Sequence, residues 1–220
     1  MTDVPRGRLV GWAALVSVLA LISYAANLAT EGDVPDDVLY RWSSAIGGVV
    51  QYTILLVLAL VLARGLAPEV LGLRRPASWR RVLGLTLVGL VSVFVIGAIL
   101  NVFLKAGEEQ GLVPDRWDSS RAAPFVANFV VVAGVAPVVE ELVYRGLGFA
   151  AVRGAFSSTV AVVVTALAFG LAHGLFVALP ILTIFGLVLA LLRLRTQSLY
   201  PCIILHGMFN GLAMIAAVAT

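Results

Sequence analysis

Six strongly polar side chains stand inside stretches otherwise made of Val, Ala, Leu, Ile and Phe: Glu140, Glu141, Arg145, His173, His206 and Asn210. They include both histidines of the chain, and the two glutamates are the acids that fall outside the loops and termini. A carboxylate that meets an imidazole can take a proton from water and pass it on, which is general acid–base chemistry. Two imidazoles and a carboxylate, here Glu140, His173 and His206, are also sufficient ligands for zinc with an open position for water. Each charge costs roughly 2.5–3.5 kcal/mol in hydrocarbon on insertion scales, so such residues mark a functional site by default.

Spacing divides the two acids. Glu141 and Arg145 are four apart with the acid N-terminal, the favourable order for an ion pair along a helix, so Glu141 is expected to neutralise Arg145. Glu140 projects about 100° around the helix from Glu141, away from that cation, and is the first candidate for chemistry. In "FGLAH" Phe169 and His173 share a helix face, and in "HGMFN" His206 and Asn210 do. Gly170 with Gly174 and Gly207 with Gly211 have the four-residue spacing that lets transmembrane backbones approach closely, an arrangement expected to help bring the imidazoles together.

The elements that must position these groups follow from composition. Of 220 residues 61% are hydrophobic and only 12% charged, and the mean hydropathy is +1.04. Runs of about 20 apolar residues are each long enough to cross roughly 30 Å of hydrocarbon at 1.5 Å per residue. The fold expected is all-α, a polytopic transmembrane helical bundle in one integral membrane domain over 1–220. Its seven spans are placed near 9–29, 44–64, 82–104, 122–153, 157–174, 176–194 and 197–218. The first apolar run is too long for a signal-peptide core and reads as a retained span. Cys202 is the only cysteine, which rules out an intrachain disulfide and a cysteine-built zinc site; it reads as a small apolar residue in a helix.

Loop charges set an expected orientation. The loop 31–43 carries Glu31, Asp33, Asp36 and Asp37 against Arg41, whereas 64–81 carries Arg64, Arg74, Arg75, Arg80 and Arg81 against Glu69. A cytosolic N-terminus puts eleven of the fifteen basic residues inside, leaving Arg41, Lys105, Arg116 and Arg121 outside. The basic residues sit in short loops without an interleaved aromatic face, so nucleic acid is excluded as a partner and the lipid bilayer of the cell membrane is expected. The segment "LGLRRPASWRR" (71–81) reads as an ordinary inner loop with some capacity for anionic head groups.

Depth decides whether the polar groups can meet. If the fourth helix runs to Arg153 and breaks at Gly154, Glu140 lies about 20 Å, His173 about 24 Å and His206 about 13 Å from their cytosolic helix ends, differences that tilt can absorb. That helix is longer than the hydrocarbon is thick, and Pro137, one turn before the acids, is the expected site of distortion. A serine-type site is excluded because no Gly-x-Ser occurs, and an aspartyl-type site because every Asp lies in a loop or at the N-terminus. No His-Glu-x-x-His is present, and no internal repeat of the transporter kind is evident.

"EELVYR" (140–145), "FGLAH" (169–173) and "HGMFN" (206–210) resemble, in order and approximate spacing, the Glu-Glu-x-x-x-Arg, Phe-x-x-x-His and His-x-x-x-Asn motifs of the CPBP family. These are the CAAX-protease and bacteriocin-processing intramembrane proteases, related to the type II CAAX prenyl endopeptidases. The resemblance covers roughly 80–215, and the first two helices contribute nothing to it. It implies an intramembrane glutamic-type endopeptidase acting on a membrane-associated protein or peptide substrate, with no cofactor. In it Glu140 and His173 activate water, His206 and Asn210 stabilise the oxyanion, and Glu141, Arg145 and Phe169 support them. A zinc-dependent form of the same protease, held by Glu140, His173 and His206, and a non-catalytic bacteriocin-immunity-like membrane protein are the alternatives.

Overall fold

The computed structural model describes residues 4–30, 35, 37–106, 109 and 117–219. Glu31, Asp33, Asp36 and Arg116 of the loop-charge argument lie outside the described residues. Within the described residues every regular element is helical. The long helices are α1 (Arg6–Ala29), α2 (Trp42–Ala63), α3 (Trp79–Leu104), α4 (Ser119–Ala155), α5 (Ser158–Ala172), α6 (Leu179–Thr196) and α7 (Tyr200–Ala219). Six of these are long and apolar enough to cross a membrane; α5 is apolar but has only 15 residues. At 1.5 Å per residue it reaches about 22 Å, short of the roughly 30 Å hydrocarbon core. The expected seven spans are therefore six plus a shorter apolar helix.

Local chemistry sets the ends. Ser78 and Ser157 accept from Arg81 N and Val160 N and so cap α3 and α5. Lys105 and Gln197 close α3 and α6 in the left-handed conformation. Gly174, at φ +67°, turns the chain immediately after α5 and leaves His173 as its last capping residue. The Glu109 carboxylate accepts from the backbone N–H groups of Phe176, Val177 and Ala178 at 2.6–2.8 Å, which satisfies donors at the start of α6.

Large apolar side chains such as Leu21, Val102 and Phe103 stand 70–79% exposed on α1 and α3, a surface that lipid and not water covers. The protein core is narrow and gathers around the second half of α4, where Val143, Leu147, Phe169, Leu189, Cys202 and Leu205 are fully buried. An added Cβ at Gly186 of α6 would lie 2.9 Å from the Ala166 carbonyl of α5, so that pair of helices meets backbone to backbone.

Helix α4 is not a regular α-helix. Two π-helical stretches, Val130–Val135 and Leu142–Gly148, flank the short α-helical piece Ala136–Glu141 that carries both glutamates. Pro137 accounts for the first. The Ala136 N–H bonds back five residues to Val131 O, and in that register the next carbonyl, Val132 O, would need the N–H that Pro137 lacks. The distortion expected at Pro137 thus takes the form of a π-helical stretch just before it.

Candidate active site

Glu140 projects from α4 into a cavity of about 200 Å³. His173, at the end of α5, lines the same cavity, and so do Ser23 of α1 and Tyr52 of α2. The Tyr52 hydroxyl donates to Glu140 Oε1 at 2.6 Å, and Glu140 Oε2 has no hydrogen-bond partner. The acid singled out by its angular position is therefore the one that reaches open space.

His173 has a defined tautomer. Its Nδ1 lies 2.7 Å from Phe169 O, and a carbonyl can only accept, so Nδ1 carries the hydrogen. Phe169 O belongs to the last turn of α5, whose carbonyls lose their helical partners where Gly174 turns the chain. The imidazole thus repairs a helix end and keeps Nε2 available. The Phe169 ring, fully buried, packs tilted against the His173 ring at 4.6 Å, and the Arg145 guanidinium lies 4.5 Å from the Phe169 ring centre.

Beside the cavity, Glu141 and Arg145 are both fully buried and joined at 2.9 Å, as the four-residue spacing requires. Arg145 Nη2 also donates to Gly186 O at 2.9 Å. Glu141 does more than neutralise the arginine, because the same Oε1 accepts from His206 Nδ1 at 2.9 Å. That bond fixes the His206 tautomer and turns Nε2 toward Glu140 Oε2, 3.8 Å away. His206 consequently sits between the two adjacent glutamates, each holding or facing one of its nitrogens. Its ring is enclosed edge-on by Phe169 at 5.6 Å and Phe185 at 5.1 Å.

Asn210 is placed differently from the others. Its Nδ2 donates at 2.9 Å to Val132 O, the carbonyl orphaned by Pro137, and neither Asn210 nor His206 lines the cavity that Glu140 and His173 share. The glycine pairs bring helices together, but not α5 directly onto α7. Gly170 admits Thr183 of α6 and Gly174 admits Ser23 of α1, whereas Gly207 and Gly211 admit Ala133 and Phe129 of α4. No group of three His, Cys, Asp or Glu side chains among the described residues is arranged to hold a metal ion. His206 Nδ1 is committed to Glu141 and its Nε2 lies 3.8 Å from Glu140 Oε2, while of the two histidines His173, and not His206, lines the cavity of Glu140.

Sequence reasoning missed the contribution of the first two helices. Leu19 and Ser23 of α1 and Gln51, Tyr52 and Leu55 of α2 build one wall of the cavity, and Trp12 of α1 donates its indole N–H to Val143 O at 3.0 Å. The available signal was the adjacent polar pair Gln51 and Tyr52 in the middle of an apolar span.

Residues 122–212 match the family described as type II CAAX prenyl endopeptidase Rce1-like. No curated protein and no solved structure matches the chain. The matched segment holds α5, α6 and both glutamates of α4 and runs into α7 beyond Asn210, which is to say every polar side chain gathered in this site except Ser23, Gln51 and Tyr52. That segment, less than half of the chain, is similar to the type II CAAX prenyl endopeptidases and supports a CAAX/CPBP-family intramembrane protease.

Proposed function

We propose that this multi-pass membrane protein is a glutamic-type endopeptidase of the cell membrane that hydrolyses a peptide bond of a membrane-associated substrate, with its arginine-rich helix ends in the cytosol. The observation that carries the reading is the single cavity into which Glu140 and His173 both open, with Tyr52 fixing one carboxylate oxygen and leaving the other without a partner.

Water held between Glu140 and His173 Nε2 gives a proton to the carboxylate as its oxygen bonds to the carbonyl carbon of the scissile peptide. The carbonyl electron pair moves onto oxygen, and the tetrahedral intermediate then expels the amine, which takes the proton from Glu140. The negative oxygen needs fixed donors. His206 Nε2 is beside Glu140 and donates to the oxyanion when the ring carries a proton on both nitrogens, and Asn210 has a second amide hydrogen besides the one given to Val132 O, so both are assigned to the oxyanion. Glu141 and Arg145 hold His206 in orientation.

The test is cleavage of a membrane reporter peptide by the purified chain, with and without chelator. The wild type is expected to cleave at an unchanged rate in chelator, and Glu140→Gln to lose cleavage with its melting temperature kept. Loss in chelator restored by zinc would replace the glutamate reading with the metal one. Full activity of Glu140→Gln, or no cleavage by the wild type, would remove the protease assignment of this site.

A further inference from the structure

We infer that the chain has a second, separate ligand site, a pocket for a phosphate-type oxyanion built at the joined ends of α4 and α6 and the loop after α2. The residues that line this pocket are none of those that line the cavity of Glu140, and the inference does not depend on the proteolytic reading.

The pocket has a volume of about 360 Å³ and is lined by Arg74, Arg153 and Arg193 with a single acid, Glu69. Among the described residues none of these four takes part in an ion pair within 4.0 Å, so three guanidiniums face one space against one unpaired carboxylate. Like charges gathered in this way repel unless an anion joins them. Arg193 is 3% exposed, and its Nη1 has no acceptor at all. A buried, unpaired guanidinium is costly, and the missing partner is the kind of group an anion supplies.

The arginines are held in place and do not simply share a surface. Arg193 Nε donates to Arg145 O at 3.1 Å and its Nη2 to Val70 O at 3.4 Å, while its guanidinium lies 5.4 Å from the Phe149 ring centre. Gly72, at φ +80°, lets the loop backbone lie against that guanidinium, where a Cβ would come within 2.6 Å. Gln197, in the left-handed conformation that ends α6, takes Arg74 Nε on its carbonyl at 2.9 Å and Arg153 Nη1 on its side-chain oxygen at 3.3 Å. Each of these bonds uses one donor of a five-donor fork and leaves others for a planar or tetrahedral oxyanion. Phosphate, free or carried by an anionic lipid head group at the membrane surface, has the charge and the acceptor count to join three guanidiniums.

The experiment measures the melting temperature of the purified full chain with two probes. One is inorganic phosphate against chloride at matched ionic strength. The other is phosphatidylcholine vesicles with and without phosphatidylglycerol. A saturating probe is expected to raise the melting temperature by about 5–10 °C. A rise with phosphate assigns the free anion, and a rise confined to phosphatidylglycerol assigns the lipid head group. Either must be lost in Arg74→Gln/Arg153→Gln and kept in Arg80→Gln/Arg81→Gln, which removes the same charge outside the pocket. Arg153→Gln alone, at an exposed position, must weaken the probe about tenfold in apparent Kd. No rise with either probe, a rise kept in the Arg74/Arg153 variant, or equal loss in both double variants would overturn the site.

Discussion

Tyr52 on α2 donates its hydroxyl to Glu140 Oε1 on α4 at 2.6 Å, a bond that joins residues 88 apart in the chain. It makes α2 part of the site although the family match begins only at residue 122. With Oε1 held, Oε2 is buried without a hydrogen-bond partner, 3.8 Å from His206 Nε2. The carboxylate is thus oriented before any substrate arrives, which is what a positioned base requires.

Tyr52→Phe removes that donor and keeps the ring. A hydrogen bond to a charged group is worth about 1.5–3 kcal/mol, so kcat for the reporter peptide is expected to fall about 10- to 100-fold while KM stays near the wild-type value. Steady-state kinetics with the variant check this, and an unchanged kcat would show that Tyr52 does not position Glu140.

The Glu141–Arg145 pair is fully buried, so breaking one side leaves an uncompensated charge. Arg145→Met is expected to cost about 3–5 kcal/mol of stability, and Glu141→Gln/Arg145→Met to recover a large part of it. Denaturant unfolding in detergent reads both numbers. The double variant should stay poorly active, because His206 Nδ1 loses its carboxylate partner.

Asn210 has one structural and one proposed chemical task, and Pro137 separates them. Asn210→Ala leaves Val132 O unpaired, at an expected cost of about 1–3 kcal/mol. Adding Pro137→Ala restores a backbone N–H within reach of that carbonyl and is expected to recover the stability. If Asn210 also serves the oxyanion, the rate stays down about 10²–10³-fold in the rescued background. Parallel thermal and kinetic assays distinguish the two tasks.

The loop charges predict a local acid transition. Hydrogen bonds from Ser120, and then Arg121, hold the Asp118 carboxyl down at about 2, and Asp37 is lowered by its hydrogen bond from Arg41, then by Arg121. A lowered folded-state pKa stabilises above the unfolded value near 3.8 and is lost as pH falls through the folded value. Hydrogen exchange in 37–41 and 117–121 is therefore expected to accelerate between about pH 4 and pH 2, and less so in Asp118→Asn. High salt should shrink the effect, since these groups are exposed.

Much of this arrangement was legible because it is local. The four-residue spacing gave the Glu141–Arg145 pair, the angle between neighbours separated Glu140 from it, and helix length put His173 at a compatible depth. That Gly174 turns the chain after His173 and leaves α5 short was not foreseen. What stayed hidden depends on contacts across the chain. A tyrosine in an apolar span reads as an interfacial residue until a carboxylate is placed against it. The bond from Asn210 to Val132 O follows only once the backbone has slipped into the π register, which propensity does not encode. Arg193 looked like a loop charge, yet it is buried against the Arg145 carbonyl.

The most direct test of a shared water-activating pair is a double-mutant cycle on cleavage rate with Glu140→Gln, His173→Ala and the two combined. If both residues act on one water, each single change costs about 10²–10⁴-fold and the double variant loses little more than the worse single one. Independent, multiplying losses, or a single variant that cleaves at the wild-type rate, would contradict it.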